Sequence, residues 1–204
     1  MSPPYWQQAI GELSACDGVL KSLIARYPEI SLRSRGDAFS TLARSIAGQQ
    51  ISVKASEAVW QRLLACVAVT PDVIADTAPE VLRACGFSLR KVEYLRDLAS
   101  KFVDGSLHPG LWEGMDDEAV IVELCRVRGI GRWTAEMFLV FYLLRPDVLP
   151  LDDIGLQKAM AIHYQEGVPL NKIGMHALAE AWRPWRSVAT WYMWRSLDPQ
   201  VVAY

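Results

Sequence analysis

The chain is poor in cysteine and histidine, has no long apolar run and carries no excess of positive charge. Its four cysteines, Cys16, Cys66, Cys85 and Cys125, are scattered, form no Cys-x-x-Cys pair and leave the sequence after Cys125 without a thiol. That spacing excludes an iron–sulfur cluster, which gathers several thiolates on one centre. Each cysteine sits in an apolar helical context, so buried free thiols are the expectation. The three histidines, His108, His163 and His176, lack ligand spacing and read as surface or packing residues, so no catalytic metal is expected. The longest apolar runs, such as Met137 to Leu144, are too short to cross a bilayer. The N-terminus Met1-Ser-Pro-Pro-Tyr-Trp lacks the basic region and apolar core of an export signal, so no membrane association and a cytoplasmic location are expected. No low-complexity tract or internal repeat is present.

What remains is a globular composition, 51% apolar and 22% charged over 204 residues. That length can bury a substantial core as one domain or two closely packed lobes. Net charge is −2, which counts mildly against a partner held by bulk electrostatics. The charges are nonetheless sorted locally. Asp116, Asp117 and Glu118 open one predicted helix, while Arg126, Arg128 and Arg132 surround the turn that follows it. Complementing the helix dipole explains that pattern, and so does a local phosphate site.

Nearly every segment has helical spacing and no alternating strand run stands out, so the fold class is all-α. Helices are predicted over Tyr5 to Ala15, Val19 to Tyr27, Ala38 to Ala47 with Asp37 as N-cap, and Val53 to Cys66 with Ser52 as N-cap. Pro79 starts a short helix that Gly86 closes, and Ser88 caps Leu89 to Phe102. Asp116 to Val127, Arg132 to Leu144, Asp153 to His163, Met175 to Trp182 and Trp185 to Leu197 complete the set. The least regular connections are Pro28 to Arg35, Asp104 to Gly114 and Gln165 to Gly174.

The most informative stretch is Leu124-Cys-Arg-Val-Arg-Gly129-Ile-Gly131-Arg-Trp133-Thr-Ala135, followed by Leu149-Pro-Leu-Asp152-Asp153-Ile-Gly155. Gly-Ile-Gly between two amphipathic runs reads as a tight hairpin between helices, its glycines permitting backbone angles and an approach that a side chain would block. The helix opening at Arg132 offers free N–H groups and a positive dipole end to an anion such as a DNA phosphate. A carboxylate pair follows. A phosphate-binding hairpin with a carboxylate nearby points to chemistry on DNA.

Three pieces of sequence resemble the helix-hairpin-helix DNA glycosylases, most closely the 3-methyladenine DNA glycosylase II branch. They are Ile46-Ala-Gly-Gln-Gln-Ile-Ser52, the hairpin with its Asp153, and Trp182-Arg-Pro-Trp-Arg-Ser-Val-Ala-Thr-Trp-Tyr-Met-Trp194. They occur in the family's order and span roughly residues 40 to 197. The resemblance implies two helical lobes, about 1–35 with 150–204 and about 36–149, with the active cleft between them. It also implies no N-terminal β domain, for which there is no room before Asp37. Relatives resembling endonuclease III carry an iron–sulfur cluster near their C-terminus, where this chain has no cysteine after Cys125.

By this resemblance Asp153 is the catalytic residue. A carboxylate can stabilise the positive charge that develops on the sugar as the glycosidic bond breaks, and can orient the attacking water. From the residues alone, Asp152 and Asp153 serve equally well as caps of the following helix. Strand-cutting relatives carry a lysine two residues past the last hairpin glycine, where this chain has Trp133. An indole cannot form a Schiff base, so a monofunctional enzyme that leaves an abasic site is implied. Trp133 and Trp194 are the implied pocket walls for an alkylated, cationic purine, with Met137 where some relatives have another aromatic. Ordinary aromatic core is the other reading of such residues, and it is the expectation for Trp182, Trp185 and Trp191.

An intercalating wedge is implied at Gln50 or Ile51, because the target nucleotide must leave the stack before a carboxylate reaches its sugar. A polar cap at a helix junction is the alternative for Gln49 and Gln50. Gly129, Ile130, Gly131, Arg132 and Thr134 are the implied phosphate contacts. The carbonyls of Gly129 and Gly131 are candidates for a structural Na+ or K+, with no other cofactor. The implied partner is double-stranded DNA containing damaged bases, bound by a monomer. The activity implied is hydrolysis of the N-glycosidic bond of alkylated purines of the 3-methyladenine and 7-methylguanine type. A non-catalytic damaged-DNA-binding protein, or a glycosylase for another lesion, stays open.

Overall fold

The computed structural model describes residues 2–28, 31–34 and 36–197. The described residues hold twelve α-helices and no strand. In chain order the helices are α1 (Trp6–Cys16), α2 (Gly18–Arg26), α3 (Ala38–Gly48), α4 (Val53–Cys66), α5 (Pro71–Asp76) and α6 (Pro79–Ala84), then α7 (Leu89–Val103), α8 (Asp117–Leu124), α9 (Arg132–Phe141), α10 (Ile154–Tyr164), α11 (Lys172–Ala179) and α12 (Arg186–Leu197). They form two compact units, one of Met1–Ser34 with Leu139–Tyr204 and one of Arg35–Phe138. The division falls at Leu139 inside α9, earlier than the boundary near 150 suggested by the sequence.

In the unit of residues 35–138, α7 is the shared support and packs against α3, α5 and α6. Its buried Val92, Leu95, Leu98 and Ala99 recur at helical spacing, and each large apolar side chain contributes roughly 1.5–3 kcal/mol by leaving water. The expected caps are in place: Asp37, Ser52 and Ser88 accept from the N–H groups of Ser40, Ala55 and Lys91. Loop 104–116 is anchored by Trp112, which is fully buried. The buried Glu123 carboxylate accepts from the Trp112 indole N–H at 2.9 Å and from the His108 N–H at 2.7 Å.

In the other unit, α12 is the central helix, with contacts to α1, α2 and α10. Ser187 to Met193 are all buried, so this helix has no solvent face over that stretch. Trp182, Trp185 and Trp191 are buried, as packing aromatics should be. Arg195 is buried too, with its guanidinium 5.4 Å from the centre of the Tyr27 ring.

Three sequence expectations need correction. Cys16, Cys66 and Cys125 are exposed, and of the four cysteines only Cys85 is buried. Each exposed thiol lies at a helix end, where the apolar stripe that suggested burial has run out. The helix from Arg132 stops at Phe141 and not Leu144, because Arg145 N–H turns back to the Leu139 carbonyl and Leu144 takes φ +53°. The helix before the hairpin stops at Leu124, beyond which the N–H groups of Arg126 and Val127 make three-residue turns to Glu123 and Leu124. The short helix α5, started by Pro71 after Thr70, was not anticipated. In the irregular connection Pro28 to Arg35, residues 29, 30 and 35 lie outside the described set.

Candidate active site and nucleic-acid interface

Asp153 is the N-cap of α10, and its main chain is set by a turn in which its N–H reaches the Pro150 carbonyl at 3.0 Å. The side chain is only 9% exposed. Its Oδ1 accepts from the Leu156 N–H at 2.6 Å and from the Trp194 indole N–H at 2.7 Å. The capping role is therefore real, yet a cap requires only the first of these bonds. The second is a long-range tie from α12 that fixes the carboxylate rotamer. Trp194 is itself braced by Phe141, whose ring stacks on it at 5.7 Å with planes 16° apart.

Gly155 makes that tie possible. A Cβ there would lie 3.1 Å from Asp153 Oδ1 and 3.1 Å from Trp194 Cδ1. The neighbouring Asp152 is exposed and pairs with Lys172, so the two acids have different surroundings. Sequence reading named Asp153 and Trp194 but not their contact, and it missed Gly155 and Phe141. A glycine in the first turn of a helix, where most residues are tolerated, was the available signal for Gly155.

The hairpin belongs to the other unit. Gly129 has φ +81°, and a Cβ there would meet the Tyr94 ring at 2.1 Å, so both the backbone angle and the packing demand glycine. Gly131 is different: its φ is ordinary and nothing lies within 4 Å of where a Cβ would sit. The Ile130 side chain is buried, which leaves this residue its backbone for any contact with a partner. The first bond of α9 runs from the Ala135 N–H to the Gly131 carbonyl. The N–H groups that precede it, at Gly131, Arg132 and Thr134, have no acceptor within the helix and stand at its positive end.

The Arg132 guanidinium makes a two-pronged pair with Glu118, at 2.8 and 2.7 Å, and reaches Glu136 at 3.1 Å. The Glu118 bond pushes the guanidinium further up and holds the carboxyl below its ordinary value. Arg132 would have to exchange a carboxylate for a phosphate to serve as a side-chain contact. Thr134 is buried, and so is Met137 at 7% exposure, whereas Trp133 on the same helix is 39% exposed.

The segment Gly48 to Ser52 joins α3 to α4. Gln50 and Ile51 are exposed, and Gln50 takes φ +58°. Gln49 is half-buried, and its Nε2 donates to the Gly129 carbonyl at 2.7 Å. The sequence thus named the turn and the hairpin separately, and the structure joins them through a side chain read only as a polar cap. The Gly129 and Gly131 carbonyls proposed for a monovalent cation each already accept one protein hydrogen bond. Among the described residues, no cluster of three or more His, Cys, Asp or Glu side chains is arranged to hold a metal, and no helix is long and apolar enough to cross a membrane.

Residues 43–184 match the HhH-GPD superfamily of base excision DNA repair proteins. Over 185 residues the chain is 34% identical to DNA-3-methyladenine glycosylase 1 of Schizosaccharomyces pombe, covering 87% of the chain and 80% of that protein. It is 30% identical to DNA-3-methyladenine glycosylase 2 of Escherichia coli over 87% of the chain and 64% of that protein. Among solved structures it is similar to the S. pombe 3-methyladenine DNA glycosylase in complex with abasic DNA, with a TM-score of 0.82 and 30% identity, over 96% of this chain and all of that one.

Proposed function

The chain belongs to the HhH-GPD superfamily of base excision DNA repair proteins, and on that premise we propose that it is a monofunctional DNA glycosylase that releases alkylated purines from duplex DNA. The observation that carries the proposal is the Asp153 carboxylate, held by one N–H from its own helix and one from Trp194. Two donors on one oxygen fix where the negative charge points. A fixed negative charge stabilises a sugar that becomes cationic as the base departs, with no reorganisation at the moment of reaction.

Alkylation of a purine ring nitrogen puts positive charge on the base and weakens its bond to the sugar. Little acid assistance to the leaving group is then needed, and an exposed aromatic face such as Trp133 suits the cation. No lysine stands at Trp133 to attack the sugar, which supports base release without strand cleavage. Gly131 supports DNA as the partner: nothing described within the chain requires glycine there, while a phosphate approaching the α9 N-terminus would. In the same proposal the Gly129 and Gly131 carbonyls are the oxygen ligands of a Na+ or K+, each with a lone pair left for it, and the enzyme acts as a monomer.

The test is incubation of the purified protein with methylated duplex DNA. The proposal expects free 3-methyladenine and 7-methylguanine, and strands that stay intact until treated with alkali. Strands nicked without alkali would overturn the monofunctional assignment. Intact bases alongside release of a deaminated or oxidised base would overturn the substrate class.

A further inference from the structure

One face of α7 supports both the hairpin and the turn between α3 and α4. Lys91 Nζ donates to the Ala47 carbonyl at 2.7 Å, just before that turn. One helical turn later Tyr94 packs on Gly129, and Asp97 then accepts the Arg128 N–H at 2.8 Å. Residues 91, 94 and 97 lie on one side of the helix, so the two segments are mounted on a common rail. Gln49 closes the arrangement by bonding the Gly129 carbonyl directly.

That bond lands on an informative peptide. The unit joining Gly129 to Ile130 is planar, and its N–H already reaches the Val127 carbonyl at 3.1 Å. With Gln49 on the carbonyl, the peptide is fixed at both ends, and it sets the direction in which Gly131 and the first N–H groups of α9 point. On the other side of Gln49 the chain adopts a left-handed Gln50, an unfavourable conformation for a residue with a Cβ, and then presents Ile51 41% exposed. A strained tip with pinned ends contributes little to the core of its unit.

We propose that Gln49 is a positioning residue that couples this exposed turn to the hairpin, so that engagement of a phosphate by the hairpin and displacement of the target nucleotide by Gln50 and Ile51 occur as one event. The inference rests on the glycosylase reading and adds to it the residue that transmits one act to the other.

Single-turnover base release from a methylated duplex tests it, together with the fluorescence of 2-aminopurine at a site where unstacking makes it bright. At saturating enzyme, Gln49→Ala should slow both by about tenfold, the scale of one lost hydrogen bond. Gln49→Glu distinguishes coupling from mere packing. At neutral pH its carboxylate cannot donate to the carbonyl, so the loss should be at least as large. As pH falls towards the carboxylic range the acid O–H can donate, so its rate relative to wild type should rise, while the ratio for Gln49→Ala stays flat. Should Gln49→Ala lower the melting temperature, the pH profile of Gln49→Glu decides. An active wild type with an indifferent Gln49→Ala, or a pH-flat Gln49→Glu, overturns the coupling alone. A wild type that neither releases a base nor brightens 2-aminopurine overturns the glycosylase reading and this proposal with it.

Discussion

At Asp153 one carboxylate oxygen accepts both the Leu156 N–H and the Trp194 indole N–H, and Gly155 leaves the room in which they meet. Placing a methyl group at Gly155 sets two effects against each other. Alanine in a helix is favoured over glycine by roughly 0.5–1 kcal/mol, yet its Cβ would crowd the contact between Asp153 and Trp194. Gly155→Ala should therefore leave the melting temperature within a few degrees of wild type while base release falls by about tenfold, the scale of one hydrogen bond. Parallel thermal melts and single-turnover rates check this. Equal loss of stability and activity would mean that the glycine serves packing alone.

The hairpin gives a matched pair of predictions for an element. Gly129→Ala must adopt φ +81° and displace the Tyr94 ring, so it should cost roughly 2–4 kcal/mol in a chemical denaturation experiment. Gly131→Ala meets no atom of the chain and should be neutral in the same experiment. Its effect should appear in duplex affinity, lowered by about tenfold or more, because a Cβ intrudes where a charged phosphate accepts N–H bonds. Two glycines two positions apart then answer to different demands, the first from the fold and the second, on the proposed function, from a partner.

Sequence made much of this visible. Helices with a side-chain cap and an apolar stripe, such as α3, α4 and α7, were legible to within a residue or two because both signals are local. The ends at Leu124 and Phe141 were not, since turns that bend back on a helix depend on where the chain goes next. The site divided in the same way. Asp153, Trp194 and the hairpin were named from their motifs, whereas the Gln49 bond to Gly129 spans 80 residues and leaves no local pattern. Nor does a motif show that Arg132 is already committed to Glu118 and Glu136.

For the whole molecule, a net charge of −2 limits how DNA can be held. With Arg132 paired to Glu118 and Glu136, the proposed function leaves the phosphate contacts to backbone N–H groups and a small number of other cations. Two to four phosphates neutralised by cationic side chains predict that the logarithm of affinity falls with the logarithm of salt at a slope of roughly −2 to −4. Fluorescence anisotropy across a salt series reads it directly. A slope steeper than about −6 would mean that a broad basic surface dominates binding.

In the proposed function the Asp153 carboxylate promotes cleavage of the bond between base and sugar. Single-turnover release of methylpurines by wild type and Asp153→Asn tests it most directly, with affinity for an abasic-analogue duplex measured on the same preparations. Asparagine keeps an oxygen for the Leu156 and Trp194 N–H groups but carries no charge. The expected result is a fall in rate on the order of a thousandfold, with affinity changed only a few-fold. Release at the wild-type rate by Asp153→Asn would contradict it.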